Sequence, residues 1–437
     1  MSNKERQRGP VRKLLFKFRT GPQKRIRMRS AARRRLKSSA RFVAVTGSSG
    51  KSTTAGLLSH ILQAYAPTQS QVGSNTVSQL IRTLKRMSLV EHFVVTELGV
   101  SAKSKMEPMA SMLCPDVAIV TMIGTEHYSA FRGREGVAKE KGALLDHLQE
   151  DGFAVLNADD EMVMDMAQRT RARKVTFGKD AATADYRAED IQAGFPDMLS
   201  FTLVGKGQRL ELKTLFPGEH FWMPVTAAVV TALELGVPAE LVAAQVATFS
   251  PVNGRCSIVQ APDGPTFILD STKAPYGTLD LAFDMLAKAK APHKRVILGI
   301  ISDYSGASSQ KYRNAWRTAR EISDQVIFVG KSISSAKPTR EDVESGRIIG
   351  FENAHEAFEH IKATARPDEV ILIKGSTNLH LERIALGYTQ PVQCWAVACG
   401  KPGGCFRCPG LLLPFDKNAL KRKEKLDRLA FWKPRKI

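Results

Sequence analysis

The chain has 437 residues and a formal net charge of +21, with 43% hydrophobic and 24% charged residues. This composition is typical of a globular protein and excludes a disordered or fibrous chain, and the length predicts two or three domains. No apolar run of about 18 residues is present to span a membrane, and the N-terminus lacks the apolar segment of a secretory signal.

The excess charge is confined to the two ends of the chain. Residues 1–41 contain 16 Lys and Arg and one acidic residue, and residues 416–437 contain nine Lys and Arg and three acidic residues. The body between them has 39 basic and 39 acidic residues. We therefore interpret residues 1–41 as a basic arm, within which VRKLLFKF (11–18) can form a short amphipathic helix.

These basic ends predict a phosphate-rich partner, either an anionic membrane surface or another polyanion. Specific nucleic-acid binding is not expected, because the arginine-rich stretch 24–41 has no aromatic residue on which bases could stack. A solvated tail without a partner is the alternative. We expect a cytoplasmic protein that can lie peripherally on the inner face of the membrane, although the N-terminus overlaps in composition with organellar transit peptides.

Short apolar runs alternate with helix-length segments from residue 42 onward. Strands are predicted at 42–47, 92–99, 116–124, 152–160, 267–272, 294–301, 325–330 and 369–376. Helices are predicted near 51–65, 278–290, 309–322 and 353–365. Alternation of this kind is typical of parallel βαβ units. The predicted fold class is α/β, with a P-loop central domain built on a mainly parallel sheet and a smaller Rossmann-like C-terminal domain.

The expected domains are the basic arm (1–41), a central α/β domain (42–250), a second α/β domain (251–393), and a cysteine-rich segment with a basic tail (394–437).

A nucleotide-phosphate loop is predicted between the first strand and the first helix of the central domain. The segment TGSSGKSTT (46–54) has small residues that let backbone N–H groups approach phosphate oxygens, and Lys51 adds a positive charge at a helix N-terminus. The Ser52 hydroxyl is placed to ligate Mg²⁺. The general P-loop has a Gly where this chain has Val45, and a Gly/Ser turn without a ligand is the alternative. The predicted nucleotide-binding residues are Gly47, Ser48, Ser49, Gly50, Lys51, Ser52 and Thr53.

The short form G-x-x-G-K-[ST]-[ST] resembles the phosphate loop of the Mur ligase family of ATP-dependent amide-bond ligases. Glu97, in VVTELGV, resembles the family glutamate that holds Mg²⁺, and a carboxylate at the end of a parallel strand agrees with that role. A solvated glutamate is the alternative. His127, in IGTEHYSAF, resembles the family's second metal ligand, although a lone histidine is more often structural. The resemblance thus implies Mg²⁺ ligation by Ser52, Glu97 and His127.

Two lysines lie in GVAKEKGALL (136–145), which resembles the family helix that carries a carbamylated lysine. Lys141 matches best and Lys139 is the second choice, while both can equally be surface lysines.

Matches to the family continue after residue 250. Arg255, in NGR, resembles the arginine that reaches the γ-phosphate, and Asp270 and Ser271, in DSTKAP, resemble residues that contact nucleotide. The resemblance implies that Lys51, His127, Lys141 and Arg255 are catalytic. Three departures are Phe221 and Pro224, where the family has asparagines, and Thr377, where it has an arginine.

The resemblance spans roughly residues 42–390, and within the family it is strongest to the type that adds D-alanyl-D-alanine. We expect the family's N-terminal UDP-binding domain to be lacking, with the basic arm in its place.

Four cysteines near the C-terminal end have the spacing C-x4-C-x5-C-x2-C. Four thiolates can enclose a structural Zn²⁺, but only one pair has the tight spacing of a zinc knuckle. Buried or free thiols are nearly as well supported, and an iron–sulfur or redox cluster is the third alternative. The predicted zinc ligands are Cys394, Cys399, Cys405 and Cys408.

The resemblance implies an ATP- and Mg²⁺-dependent ligase that joins a carboxylate to an amino acid or peptide amine through an acyl phosphate. Within the class, the alternative is a polyglutamate- or folylpolyglutamate-like acceptor. Outside it, the alternative is a P-loop ATPase that docks on membrane or nucleic acid through the basic tails.

Overall fold

The computed structural model describes residues 10–331, 333–397, 399 and 404–414. The basic tail predicted at the C-terminal end lies outside the described residues. The chain divides into two compact units. The first comprises Met1–Glu189, Thr202–Leu212 and Trp222–Ala247, and the second comprises Asp190–Phe201, Lys213–Phe221 and Thr248–Ile437.

A parallel sheet forms the centre of the first unit. Its strands follow the order β2-β3-β1-β4-β5-β6, and each neighbouring pair is parallel. The apolar runs of β1, β3, β4 and β5 are buried on both faces, as expected for parallel strands covered by helices. The strands are β1 (Arg41–Thr46), β2 (Thr68–Gln71), β3 (Phe93–Glu97), β4 (Val117–Val120), β5 (Phe153–Asn157) and β6 (Arg173–Gly178).

The sheet continues with three further strands in the order β6-β7-β8-β9. These are β7 (Tyr186–Gly194), β8 (Asp197–Gly205) and β9 (Gln208–Lys213). The helices of this part of the chain are α1 (Pro10–Leu36), α2 (Lys51–Tyr65), α3 (Val77–Arg86), α4 (Met106–Leu113), α5 (Tyr128–Phe131), α6 (Arg134–Gly142), α7 (Glu161–Met166), α8 (Trp222–Glu234) and α9 (Ala239–Thr248).

The second unit contains a six-stranded sheet in the order β10-β11-β15-β12-β13-β14, in which only the β10–β11 pair is antiparallel. Its strands are β10 (Ser257–Gln260), β11 (Thr266–Asp270), β12 (His293–Leu298), β13 (Gln325–Val329), β14 (Ile348–Phe351) and β15 (Glu369–Lys374). Its helices are α10 (Leu279–Lys288), α11 (Ser308–Ile322), α12 (Arg340–Glu344), α13 (Ala354–Thr364) and α14 (Glu382–Thr389).

The predicted α/β fold class is confirmed, and each of the eight predicted strands overlaps an observed one. Two of the strands that were not predicted, β2 and β7, are polar or alternating. Strand β2 has the sequence TQSQ, and β7 alternates buried and partly exposed residues along its length. Such strands lack the continuous apolar run on which the predictions depended.

The last turns of helix α1 pack on the first unit. Ala31 is fully buried, and Met28 and Ala32 pack against the same core cluster, which places an i, i+3, i+4 stripe on one face. Arg35 extends this face and pairs with Asp116 at 3.0 Å. Part of the predicted basic arm is therefore a structural helix, and the helix predicted at 11–18 lies within it.

In the described parts of the chain, no helix combines the length and apolar character needed to cross a membrane.

Helix α1 provides a test of this packing. We expect Ala31→Asp to lower the free energy of unfolding by about 2–4 kcal/mol, because it buries a charge without a partner. The matched control is Ser30→Asp, which places the same side chain on the exposed neighbouring position and should cost less than about 1 kcal/mol. Urea unfolding followed by circular dichroism measures both. Equal losses in the two variants would show that this face of α1 is not packed.

Candidate active site

The predicted phosphate loop lies between β1 and α2, and two of its glycines have backbone conformations that other residues rarely adopt. Gly47 has φ +142° and Gly50 has φ +80°. A Cβ atom on Gly47 would lie 1.9 Å from the hydroxyl of Thr121, and one on Gly50 would approach Met223 and Pro224 at 3.2 and 3.3 Å. The loop therefore needs glycine at both positions for conformation and for space.

The side chain of Lys51 folds back over this loop. Its Nζ donates to the carbonyl oxygen of Gly47 at 2.6 Å and to that of Ser48 at 3.3 Å. The residue is 9% exposed, so its positive charge is held at the loop and not in solvent. A phosphate group bound there would meet a cation that is already in position.

Ser52 and Glu97 form a buried pair of oxygen donors at the start of α2 and the end of β3. The Ser52 hydroxyl donates to Glu97 Oε2 at 2.8 Å. The same carboxylate accepts from the Gly73 N–H at 2.8 Å and from the Asn75 amide at 3.2 Å, which fixes its orientation. A hydroxyl and a carboxylate beside a phosphate loop are the hard oxygen ligands that Mg²⁺ prefers, so this donor set fits Mg²⁺.

Lys141 is fully buried and also reaches the phosphate loop. Its Nζ donates to the same Gly47 carbonyl oxygen at 2.9 Å and pairs with Glu126 Oε1 at 2.7 Å. Lys139 is exposed on the same helix, α6. Of the two lysines considered from the sequence, the structure places Lys141 at the site.

Glu126 was not identified from the sequence. It is 8% exposed and follows β4, directly before His127. The sequence could have pointed to it, because Glu126 stands directly before His127, the predicted metal ligand, in IGTEHYSAF.

His127 begins helix α5 with a left-handed backbone conformation, φ +44°. Its ring is partly buried and lies 6.4 Å from the ring of Phe131, centroid to centroid. Non-glycine residues in this conformation are uncommon and recur at functional sites. The structure thus places His127 next to Glu126, on the loop that follows β4.

A second group of polar side chains lies at the ends of β11 and β15, and it contains the predicted nucleotide contacts Asp270 and Ser271. Asp270 and Lys374 occupy paired positions in the two parallel strands, and Lys374 Nζ forms an ion pair with Asp270 Oδ2. Lys374 is 3% exposed and also donates to the carbonyl oxygen of Lys273 at 3.1 Å. Ser271 is buried directly after Asp270.

The loop that carries Arg255 packs against this group. Gly254 has φ +72°, and a Cβ atom there would lie 2.5 Å from the hydroxyl of Thr272. The Thr272 N–H donates to the Gly254 carbonyl oxygen at 3.2 Å. Gly254, next to Arg255, therefore packs against the segment that follows Asp270 within the second unit.

His220 also belongs to the second unit, and its environment is unusual. Burial lowers the pKa of His220 to about 4, while the charge of Asp270 opposes this shift and that of Lys374 adds to it. His220 is therefore neutral at physiological pH and close enough to the Asp270–Lys374 pair to sense both charges. His220 was not among the predicted site residues, and the residue after it, Phe221, departs from the family pattern.

The predicted set of four zinc-binding cysteines is not brought together. Sulfur ligands around a tetrahedral zinc lie within about 4 Å of one another. In the described part of the chain, the one group of three or more potential metal ligands within 4.8 Å is His380, Glu382 and Cys405. Cys394 and Cys399 belong to a separate buried cluster. The grouping of Cys394, Cys399, Cys405 and Cys408 around one ion is therefore wrong.

Comparisons with known proteins agree with this geometry. The Mur ligase middle domain matches residues 45–232, and the Mur ligase, glutamate ligase domain matches residues 254–377. A curated relative, UDP-N-acetylmuramoyl-tripeptide--D-alanyl-D-alanine ligase from Escherichia coli (strain K12), is 26% identical over 363 residues, which cover 81% of this chain and 78% of the relative.

Two solved structures are similar over most of their length. The crystal structure of MurF from Acinetobacter baumannii has a TM-score of 0.73 at 25% identity and covers 84% of this chain and 81% of that chain. The MurF ligase from Thermotoga maritima in complex with ADP shares the fold, with a TM-score of 0.73 at 18% identity and coverage of 84% and 83%.

The two matched domains together span most of the chain and contain both residue clusters, one around the phosphate loop and one at the ends of β11 and β15. The chain therefore belongs to the Mur ligase family and is an ATP-dependent carbon–nitrogen ligase.

Proposed function

We propose that this ligase joins a peptide carboxylate to the amine of an amino acid or dipeptide, at the expense of ATP. The observation that carries the proposal is the convergence of Lys51 and Lys141 on one carbonyl oxygen of the phosphate loop, beside the Ser52–Glu97 oxygen pair. The curated relative is named for a UDP-linked tripeptide and D-alanyl-D-alanine, which supports substrates of this chemical class.

The reaction has two steps. A carboxylate oxygen of the first substrate attacks the γ-phosphorus of ATP, the bond to the β-phosphate oxygen breaks, and ADP leaves. The amine then attacks the carbonyl carbon of the acyl phosphate, loses a proton, and displaces inorganic phosphate to form the amide. Charge accumulates on the phosphoryl oxygens in the first step, so cations fixed near them lower the barrier.

The residues of the first unit fit the first step. Lys51 supplies a fixed positive charge at the loop, and Ser52 and Glu97 would hold Mg²⁺. The ion, when bound, neutralises phosphate charge. We propose that His127 takes part as a further ligand and that Arg255 and Asp270 of the second unit contact the nucleotide.

Lys141 has two chemical forms that are relevant to this function. In the structure it pairs with Glu126 as an ammonium group. We propose that it loses this proton and adds CO₂ through Nζ, which gives a carbamate and releases a second proton. The product is an anionic oxygen ligand beside Glu97 and His127 in the proposed site.

The exposed face of α1 is the candidate for partner binding. Lys24, Arg25, Arg27, Arg29 and Arg33 are all exposed. We propose that they attract an anionic membrane surface and so hold a cytoplasmic ligase peripherally on its inner face.

The ligase function is tested by ADP release in a screen of peptide carboxylates and amines. We expect release to require both substrates, and mass spectrometry should detect the amide product. Lys51→Met should lower the rate at least about 100-fold, because it removes one fixed charge from the transition state.

Lys139→Met is the matched control, since it removes an exposed lysine from the first unit and should leave the rate unchanged. ADP release that ignores every carboxylate and amine, but responds to vesicles or DNA, would support the ATPase alternative. A glutamate-extended product would identify the folylpolyglutamate-like alternative.

Carbamylation of Lys141 is tested with bicarbonate. In CO₂-free buffer, we expect the rate of the wild-type protein to fall several-fold and to recover when bicarbonate is added. Lys141→Ala should be nearly inactive in both buffers, and Lys139→Ala should behave like the wild type. A wild-type rate that is independent of bicarbonate would contradict the carbamate and leave Lys141 as an ammonium group.

Membrane attraction is tested by sedimentation with vesicles that contain 30% phosphatidylserine, a composition chosen to give about 1 kcal/mol per basic residue near the surface. We expect binding at low salt and at least tenfold weaker binding when four arginines of α1 become serine. The substituted residues are Arg25, Arg27, Arg29 and Arg33. Four exposed residues serve as the control set: Lys206, Lys290, Arg340 and Lys362.

Binding that is equal in the two quadruple variants would contradict a role for this face of α1. Tight binding to RNA or DNA without vesicle binding would show that the partner of α1 is a nucleic acid and not a membrane.

A further inference from the structure

Three buried side chains of different chemistry meet at the start of helix α14. The ligand atoms of His380, Glu382 and Cys405 all lie within 4.8 Å of one another, and each residue is at most 5% exposed. The Cys405 Sγ lies 3.5 Å from His380 Nδ1, which lies 3.7 Å from Glu382 Oε1. None of these three residues belongs to the phosphate loop or to the Asp270–Lys374 pair.

The carboxylate of Glu382 is only partly satisfied. Its Oε1 accepts the Cys405 N–H at 2.7 Å, whereas Oε2 is buried without a hydrogen-bond partner. A buried carboxylate oxygen of this kind is costly unless a cation or donor is supplied. A metal ion between the three residues would supply it.

The spacing of the ligand atoms fits a small tetrahedral ion. Zinc bonds of about 2.3 Å to sulfur and about 2.0 Å to nitrogen or oxygen place neighbouring ligand atoms about 3.3–3.6 Å apart. The observed separations of 3.5 and 3.7 Å are close to these values. Calcium and magnesium prefer all-oxygen sites, so a thiol, an imidazole and a carboxylate together select zinc or a similar metal.

A buried arginine lies against the thiol. Arg383 Nε is 3.1 Å from Cys405 Sγ, and its Nη1 donates to the Ala396 carbonyl oxygen at 2.8 Å. A charged donor of this kind stabilises a metal-bound thiolate and orients it. The Glu382 carboxylate and the Cys405 thiolate would together balance the charge of a divalent ion, and Arg383 contacts the sulfur.

We propose that His380, Glu382 and Cys405 form a zinc site, with water in the fourth position. The site would join the start of α14 to the short helix Cys405–Arg407. Phe406, directly after Cys405, lies 3.6 Å from the position that a Cβ atom on Gly254 would take. Gly254 directly precedes Arg255, so Phe406 packs beside the loop that carries this arginine. A metal at Cys405 therefore fixes the residue that supports this loop.

Zinc binding is measured on the full chain, stripped with a chelator, by equilibrium dialysis against ZnCl₂ and elemental analysis. We expect about one zinc per chain. Glu382→Gln and Cys405→Ser should weaken binding at least tenfold, as losses of a ligand do. Cobalt added in place of zinc should give a sulfur-to-metal absorption band that Cys405→Ser abolishes.

Two control variants separate this site from other thiols. Cys114→Ser, in the first unit, and Cys394→Ser, in the neighbouring buried cluster, should both retain zinc. Loss of zinc in Cys394→Ser with retention in Glu382→Gln would overturn the proposal in favour of a cysteine cluster. If circular dichroism shows a folded wild-type chain that binds less than about 0.3 zinc per chain, the proposal is overturned. Neither result bears on the ligase function, which the ADP assay tests separately.

Discussion

The carbonyl oxygen of Gly47 is the point on which the geometry of the first unit depends. It accepts hydrogen bonds from both Lys51 and Lys141, at 2.6 and 2.9 Å. Two ammonium groups can share one main-chain acceptor only if their charge is balanced, because a buried cation without a partner is strongly destabilising. Glu126 provides the balance for Lys141 at 2.7 Å. The phosphate loop, Lys141 and Glu126 are therefore held together by these contacts, and positive charge is concentrated where a phosphate would bind.

The register of the parallel strands explains why residues distant in sequence meet there. Strand β1 lies between β3 and β4, so the carboxyl ends of all three strands reach the same edge of the sheet. Val45 pairs with Glu97, and the loops after β1 and β4 carry the phosphate loop and Glu126. Active sites of open α/β sheets form at this edge because the loops there diverge and leave room for a ligand. The second sheet repeats the arrangement, since Asp270 and Lys374 are paired at the ends of adjacent strands.

The sequence was sufficient to place the phosphate loop and Glu97, whereas the local cysteine pattern C-x4-C-x5-C-x2-C predicted a grouping that the structure does not form. The glycines of the phosphate loop and Glu97 at a strand end could be predicted, because conformation and strand polarity follow from neighbouring residues. The sequence alone did not decide between Lys139 and Lys141, because both lie on one helix and only tertiary packing buries Lys141. Glu126 was overlooked although it stands beside His127, because its contact is with a lysine 15 positions away. The packing of α1 was missed for a similar reason: its strongly basic composition concealed a narrow apolar stripe at Met28, Ala31 and Ala32.

Two of the three departures from the family pattern, Pro224 and Phe221, have contacts that the structure describes. Pro224 stands beside Gly50, and its carbonyl oxygen accepts from the Thr54 hydroxyl at 3.2 Å, which anchors α8 on α2. Phe221 stacks on Phe216 with ring centroids 4.5 Å apart. Both positions therefore serve packing where the resemblance led us to expect side-chain amides. A site without such amides discriminates less strongly among bases, because rejection of the wrong group depends on buried polar atoms left unpaired. Neither position can therefore offer a side-chain amide to a base.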